Sequence, residues 1–338
     1  MANVTVLGGG SWGCALAMVL EHNGHRVTVW EISADAVKEI NETRELKGKL
    51  PGVRIPEDIM FTAELESCVK DRDLIVMAVP SVAARSTAEK IAGWIEKGQL
   101  IVTVAKGIEE ETLMIQSDIL ESVIPQAEVA VLSGPSHAEE VSRFLPTTVV
   151  AGARTKETAE KVQSFFMNES FRVYTSPDML GIELGGSLKN VIALAAGMSD
   201  GLGFGDNTKA ALITRGIAEM CRLALAMGAR AETLNGLPAT GDLTVPCASR
   251  HSRNRKAGML IGQGYSMEEA MKEVNMVVEG VYSARAAVAL AEKYGVDLPI
   301  IEQVNQVLFY GQSARDAVME LMLRTRRPEN EELSWNES

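Results

Sequence analysis

Long uninterrupted apolar runs are missing from this chain of 338 residues. Its most apolar helical stretch, VIALAAGM, falls well short of the ~20 residues that a membrane span requires. Near the start, ALAMVL has no basic segment before it and follows a glycine turn, so it does not read as a signal peptide. Membrane insertion and secretion are therefore not expected. Cysteine is scarce as well: Cys14, Cys68, Cys221 and Cys247 lie scattered without close pairs. That spacing fits neither a disulfide framework nor a zinc site, so the expected setting is a reducing cytoplasm and no metal is expected. An excess of positive charge is absent too, since 45 acidic residues against 33 basic ones leave a net charge of −12. Duplex recognition needs an extended basic surface, so nucleic-acid binding is not expected, and an anionic ligand must meet a local basic patch.

What is present describes a globular protein, with 46% hydrophobic and 23% charged residues in mixed periodicity. The length favours about two domains. Through the first half, short β-branched runs at 4–7, 27–30, 74–79, 100–105 and 129–132 alternate with helix-length stretches such as 86–96 and 112–124. Such alternation predicts right-handed crossovers and a doubly wound, mainly parallel sheet of Rossmann type. TTVVAGA and FRVYTS flank a helical segment at 156–166 and should extend that sheet. Near Pro177 the character changes to long helical patterns at 180–198, 208–227, 267–273, 283–294 and 314–323. The expected division is a dinucleotide-binding domain over 1–177, an all-α domain over 178–325 and a polar tail over 326–338.

Gly8-x-Gly10-x-x-Gly13 follows the first predicted strand and opens a predicted helix. Gly8 permits the tight turn, Gly10 lets a pyrophosphate approach the backbone, and Gly13 lets helix sit on strand. A dinucleotide is the natural occupant. Glu31 ends the second strand, where a carboxylate can accept from the adenine ribose and would repel a 2′-phosphate. This favours NAD over NADP, with Lys38 and Arg44 as nearby cations that could alter the preference. Pro80-Ser81, Lys106-Gly107 and Gly134-Pro135-Ser136 each fall just past a predicted strand end. In an open parallel sheet that rim is the ligand crevice.

In the helical half, Lys189 sits among Leu188, Val191, Ile192, Leu194, Ala195 and Ala196. Two readings stand: a buried ammonium of lowered pKa suited to proton transfer, or a stem that covers apolar surface with its charge in water. Further on, Asp242 lies between Gly241 and Leu243, and Arg250, Arg253, Arg255 and Lys256 follow. Arg253, with Ser252 and Asn254 beside it, could hold a phosphate. The cluster could instead balance Glu268 and Glu269.

GGGSWGCALA, VPS, KGIE, LSGPSHAEEV, ELGGSLKNVIALAAGMSDGLGFGDNTKAALITRG, GDL, SRNRKAG and VVEG occur in this order. Together they closely resemble the bacterial-type NAD(P)-dependent glycerol-3-phosphate dehydrogenases, from Val4 to about Leu323. The resemblance implies a helical second domain like that of 6-phosphogluconate dehydrogenase. It also implies reversible reduction of dihydroxyacetone phosphate to sn-glycerol 3-phosphate, a precursor of glycerophospholipids, with NAD or NADP. On matching positions, Ser11 and Trp12 would line the cofactor's diphosphate turn and Glu31 its ribose, with Ala138, Val277 and Glu279 completing the cofactor contacts. Lys106, Gly134 and Ser136 would border the substrate, Lys106 also meeting cofactor. Lys189, with Asn190 beside it, would donate or accept the proton, supported by Asp242. Ser252, Arg253 and Asn254 would hold phosphate, Arg253 also touching cofactor. Two positions depart from the family pattern. Pro246 stands where members commonly have threonine, and Glu31 where a basic residue or histidine is frequent. The resemblance leaves room for a homodimer. Two rivals share some of these features: a hydroxyacid or 6-phosphogluconate-type dehydrogenase, and a non-catalytic NAD(H)-binding redox sensor.

Overall fold

The computed structural model describes residues 1–249, 252–326 and 328–329. Arg250 of the basic cluster, and 327 and 330–338 of the expected tail, lie outside the described residues. One eight-stranded sheet runs through the first half, built from β1 (Asn3–Leu7), β2 (Arg26–Trp30), β3 (Met60–Thr62), β4 (Leu74–Met77), β5 (Leu100–Thr103), β6 (Glu128–Ser133), β7 (Thr147–Ala153) and β8 (Phe171–Ser176). Its order is β3-β2-β1-β4-β5-β6-β7-β8, and every pairing is parallel except the antiparallel β6 with β7. β4 and β5 are buried along their whole length, which is why LIVM and LIVT run without a polar alternation. The strand order reverses between β1 and β4, and this switch point opens a crevice beyond their carboxyl ends.

Helices α1 (Ser11–His22), α2 (Ala34–Thr43), α3 (Leu65–Val69), α4 (Ala84–Ile91), α5 (Gln116–Val123), α6 (Ala138–Val141) and α7 (Lys156–Phe166) connect the strands. The helix expected at 86–96 starts earlier and gives way at Ala92 to one tighter turn, and the one expected from 112 starts only at Gln116. Leu113, at φ 61, is left-handed and closes a small loop first. β3 and α2 were not anticipated. Met60–Thr62 buries only Phe61, too little for a period to show, whereas α2 is announced by the Ser33 cap, whose side chain accepts from Ala36 N.

Among its described residues the second half contains helices and no strand: α8 (Met179–Gly201), α9 (Asp206–Ala226), α10 (Ala231–Leu234), α11 (Asp242–Ala248), α12 (Arg253–Gly262), α13 (Met267–Val274), α14 (Glu279–Tyr294), α15 (Pro299–Phe309) and α16 (Ala314–Met322). Asp178 caps α8 by accepting from Gly181 N at 2.9 Å. At 23 residues α8 is long and apolar enough to cross a membrane, extending well beyond the VIALAAGM stretch, yet 94% of its most apolar window is buried inside the fold. An apolar helix surrounded on all sides by protein is a core helix.

Glycine brings α12 against α8. A Cβ on Gly258 would lie 2.1 Å from the Leu194 carbonyl oxygen, one on Gly262 2.3 Å from that of Met198, and one on Gly197 2.2 Å from that of Arg255. The two main chains therefore touch directly. Gly197-x-x-x-Gly201 and Gly258-x-x-x-Gly262 carry this signature in the sequence, although helix-length periodicity alone passes over it.

Candidate active site at the strand ends and the core helix

The glycine turn lies at the carboxyl end of β1. Gly8 has φ +120 and its N–H donates to the Trp30 carbonyl at 2.9 Å, tying the turn to β2. A Cβ on Gly13 would fall 2.0 Å from the Gly8 carbonyl oxygen, so α1 can approach the strand only with glycine there. At Gly10 a Cβ would meet nothing within 4 Å, leaving the backbone open to a ligand. Trp12 Nε1 is buried beside this turn without a partner among the described residues. Open backbone, a helix start and an orphaned donor fit the diphosphate of a dinucleotide. Ser11 Oγ donates to the Lys49 carbonyl at 3.1 Å, so the segment between α2 and β3 is fastened over the turn. Lys49 is a neighbour that the sequence reading missed; nothing in its local pattern marks it. Glu31 accepts from Ser33 N through Oε1 at 3.1 Å. Arg44 is committed elsewhere, donating to the Ile59 carbonyl at 2.8 Å with Nε 3.0 Å from Glu57.

Across the crevice stands a group of three charges, two of them buried and Lys106 half-buried. Lys106, beyond β5, places Nζ 2.6 Å from Asp242 Oδ2 and donates to the Gly134 carbonyl at 3.1 Å. Lys189, on α8, places Nζ 3.0 Å from the other carboxylate oxygen, Oδ1. Lys189 and Asp242 are 7% and 3% exposed, which decides against a lysine reaching out to water. Burial pushes the Lys189 pKa down to about 8; Asp242 pulls it up and Lys106 pushes it further down. Gly186, one turn before Asn190 on α8, faces the same group: a Cβ there would crowd Ser133 Oγ at 3.0 Å and meet Lys106 Cγ at an ordinary 3.5 Å. Ser136 Oγ donates to the Gly134 carbonyl at 2.9 Å, holding the loop after β6 beside the same centre. His137 follows it, and burial together with the Lys189 charge lowers its pKa, which disfavours a third cation there. Ala138 begins α6 and is buried. Pro246 lies inside α11, where its missing N–H removes the helical bond to the Asp242 carbonyl.

The start of α12 completes the rim. Ser252 caps it by accepting from Arg255 N at 3.2 Å. Asn254 Nδ2 donates to Asn190 Oδ1 at 3.0 Å, and its own Oδ1 accepts from Gly280 N at 2.9 Å. Asn190 in turn reaches the Lys106 carbonyl at 3.4 Å. Arg253 is exposed and donates to the Val277 carbonyl at 3.3 Å, its one side-chain hydrogen bond among the described residues. Arg255 belongs to another arrangement. Its Nε pairs with Asp200 at 2.6 Å, and Lys209 pairs with the same carboxylate at 2.7 Å. Asp200 is therefore the partner of this arginine, while Glu269 instead closes the capping box of α13. Glu279 is half-buried and accepts from the N–H and hydroxyl of Ser81, joining the start of α14 to the loop after β4. Among the described residues no group of three or more metal-capable side chains converges.

A dinucleotide turn at the switch point of a mainly parallel sheet, facing a buried lysine on the core helix of an all-α half, defines a two-domain nicotinamide-dependent oxidoreductase. Family models agree in detail. The NAD-dependent glycerol-3-phosphate dehydrogenase N-terminus matches residues 3–159 and the corresponding C-terminus matches 178–319. The chain belongs to this family. A relative from Agathobacter rectalis, "Glycerol-3-phosphate dehydrogenase [NAD(P)+]", is 65% identical, over 99% of this chain and 100% of its own. One of the same name from Fusobacterium nucleatum is 54% identical, over 99% and 100%. The crystal structure of glycerol-3-phosphate dehydrogenase from Coxiella burnetii superposes with a TM-score of 0.92 at 35% identity, covering 96% of this chain and 99% of that one.

Proposed function

We propose that this chain interconverts dihydroxyacetone phosphate and sn-glycerol 3-phosphate with NAD(P)(H), Lys189 serving as proton donor and acceptor. One observation carries the proposal: Lys189 and Lys106 flank a single buried carboxylate, Asp242, at the crevice rim. When bound, the nicotinamide supplies or takes up the hydride at substrate C2. In reduction the Lys189 ammonium gives its proton to the oxygen on that carbon, and in oxidation the neutral amine takes it back. The negative charge that develops on oxygen is met by cations already in place. Asp242 holds both lysines and keeps Lys189 protonated to higher pH than burial alone would permit.

Lys106, Gly134 and Ser136 border the substrate, with Asn190 carrying position from α8 to α12. Ser252, Arg253 and Asn254 bind the phosphate, Arg253 through its free N–H groups. Gly8, Gly10, Ser11, Trp12 and Gly13 receive the diphosphate. Ala138, Val277 and Glu279 complete the cofactor contacts, with Lys106 and Arg253 shared. Glu31 favours NAD(H), because a carboxylate at the β2 end repels a 2′-phosphate and Arg44 is already held by Glu57. The working division is 1–177 for cofactor and 178–325 for substrate, in a cytoplasmic enzyme that supplies a glycerophospholipid precursor.

The test is a spectrophotometric assay of dihydroxyacetone phosphate reduction with NADH and NADPH side by side, β-hydroxyacids serving as alternative substrates. Cofactor oxidation with the phosphorylated ketone, faster with NADH, is expected. No oxidation with it, or comparable rates with β-hydroxyacids, would reject the substrate assignment.

A further inference from the structure

The middle glycine of GGG, Gly9, is not one of the three that the dinucleotide turn requires, and its backbone does not occupy the left-handed region. Glycine there needs another reason. A Cβ built on Gly9 would lie 2.9 Å from Glu31 Cβ, 2.9 Å from Glu31 Oε2 and 3.4 Å from Glu31 Cγ. No other side chain or backbone atom comes as near to that position as these three. The Glu31 side chain is thus folded across Gly9, with Oε1 held on its far side by the Ser33 N–H at 3.1 Å. Ser33 is itself fixed by capping α2. The clash would not be relieved by swinging the carboxylate alone, since the Cβ, fixed to the end of β2, stands equally close.

We propose that Gly9 is a positioning residue for cofactor choice: its missing side chain lets Glu31 lie over the turn, where the carboxylate faces the adenine ribose and discriminates against NADP(H). A methyl group at Gly9 displaces Glu31 from that seat, so the residue that selects NAD(H) is set by a contact between the first loop and the second strand. Alanine at this position is then compatible with a Rossmann turn but not with this acid placement. The inference rests on the NAD(H) preference proposed above and deepens it.

A double-mutant cycle of Gly9→Ala, Glu31→Gly and both together tests it, reading the ratio of kcat/KM for NADH to that for NADPH at saturating dihydroxyacetone phosphate. Loss of a hydrogen bond to a charged group corresponds to ~tenfold or more, so Gly9→Ala should lower the ratio by that factor. In the Glu31→Gly background the added alanine should change the ratio by less than ~twofold, because the group it acts through is gone. A ratio unaltered by Gly9→Ala, or lowered equally in both backgrounds, overturns the inference while leaving the NAD(H) reading intact. A ratio unaltered by Glu31→Gly removes the NAD(H) reading and this inference with it. Should Gly9→Ala fail to fold, the double variant must recover a cooperative thermal transition, since removal of Glu31 relieves the contact. No recovery overturns the proposal.

Discussion

At the scale of single residues, Lys189 concentrates the consequences. It is a buried amine whose pKa is lowered to about 8, and the proposal makes it both donor and acceptor of the proton. Lys189→Met should reduce kcat/KM by roughly a hundred- to ten-thousandfold, the usual worth of general acid–base catalysis, with NADH binding retained by calorimetry. Near-normal turnover would exclude the role. Because burial lowers its pKa to about 8, ketone reduction should fall as pH rises through that value and alcohol oxidation should rise through it. Asp242 raises the Lys189 pKa, so Asp242→Asn should move both limbs to lower pH. A pH–rate profile in each direction would show it, and unmoved limbs would mean that another group titrates. The residue types were legible in the sequence, and so was the apolar setting of Lys189. Which of the two readings of Lys189 holds was not, because helical periodicity marks an apolar neighbourhood without telling how much of it covers the amine.

At the scale of elements, the contact between α8 and α12 sets the site. α8 carries Lys189 and Asn190, α12 carries Arg253 and Asn254, and the Asn254–Asn190 hydrogen bond spans them. Since a Cβ at Gly258 would reach 2.1 Å from the Leu194 carbonyl, Gly258→Ala should force the helices apart. Overpacking of this kind costs ~1–3 kcal/mol, seen as a lower Tm. The KM for dihydroxyacetone phosphate should rise more than that for NADH if the displaced helix holds phosphate, as proposed. Equal effects on both would indicate general destabilisation. The Arg255–Asp200–Lys209 arrangement also ties α12 to the end of α8, and its acid lies 55 positions before the arginine, a distance at which no local pattern operates.

For the whole molecule, three buried ionisable groups tie distant elements and give stability a particular pH dependence. Glu183 accepts from the Ser117 N–H at the start of α5, and Glu219 accepts from Ile300 and Ile301 at the start of α15. Burial raises both carboxyls to about 7 from an ordinary 4.5. The folded chain thus binds more protons than the unfolded one over that window, and their contribution declines as pH rises through it. Lys189 does the opposite: its folded pKa of about 8 lies below the unfolded 10.5, so its contribution climbs across that interval. Urea unfolding across this range should place the minimum of their combined contribution near neutrality, and Glu219→Gln should flatten the acid-side decline. An unchanged slope in that variant would show that Glu219 does not titrate there. By itself the sequence determined the alternation that makes a parallel sheet, the glycine turn, the helical second half and the residues of the family's chemistry, since these depend on short-range period and on motifs contained in single segments. Only the tertiary structure decided that Lys106 and Lys189 share Asp242, that Glu31 rests on Gly9, and that a helix apolar enough for a membrane lies in a protein core. Each is a contact between segments remote along the chain, where covalent proximity exerts no force and packing alone selects the partner.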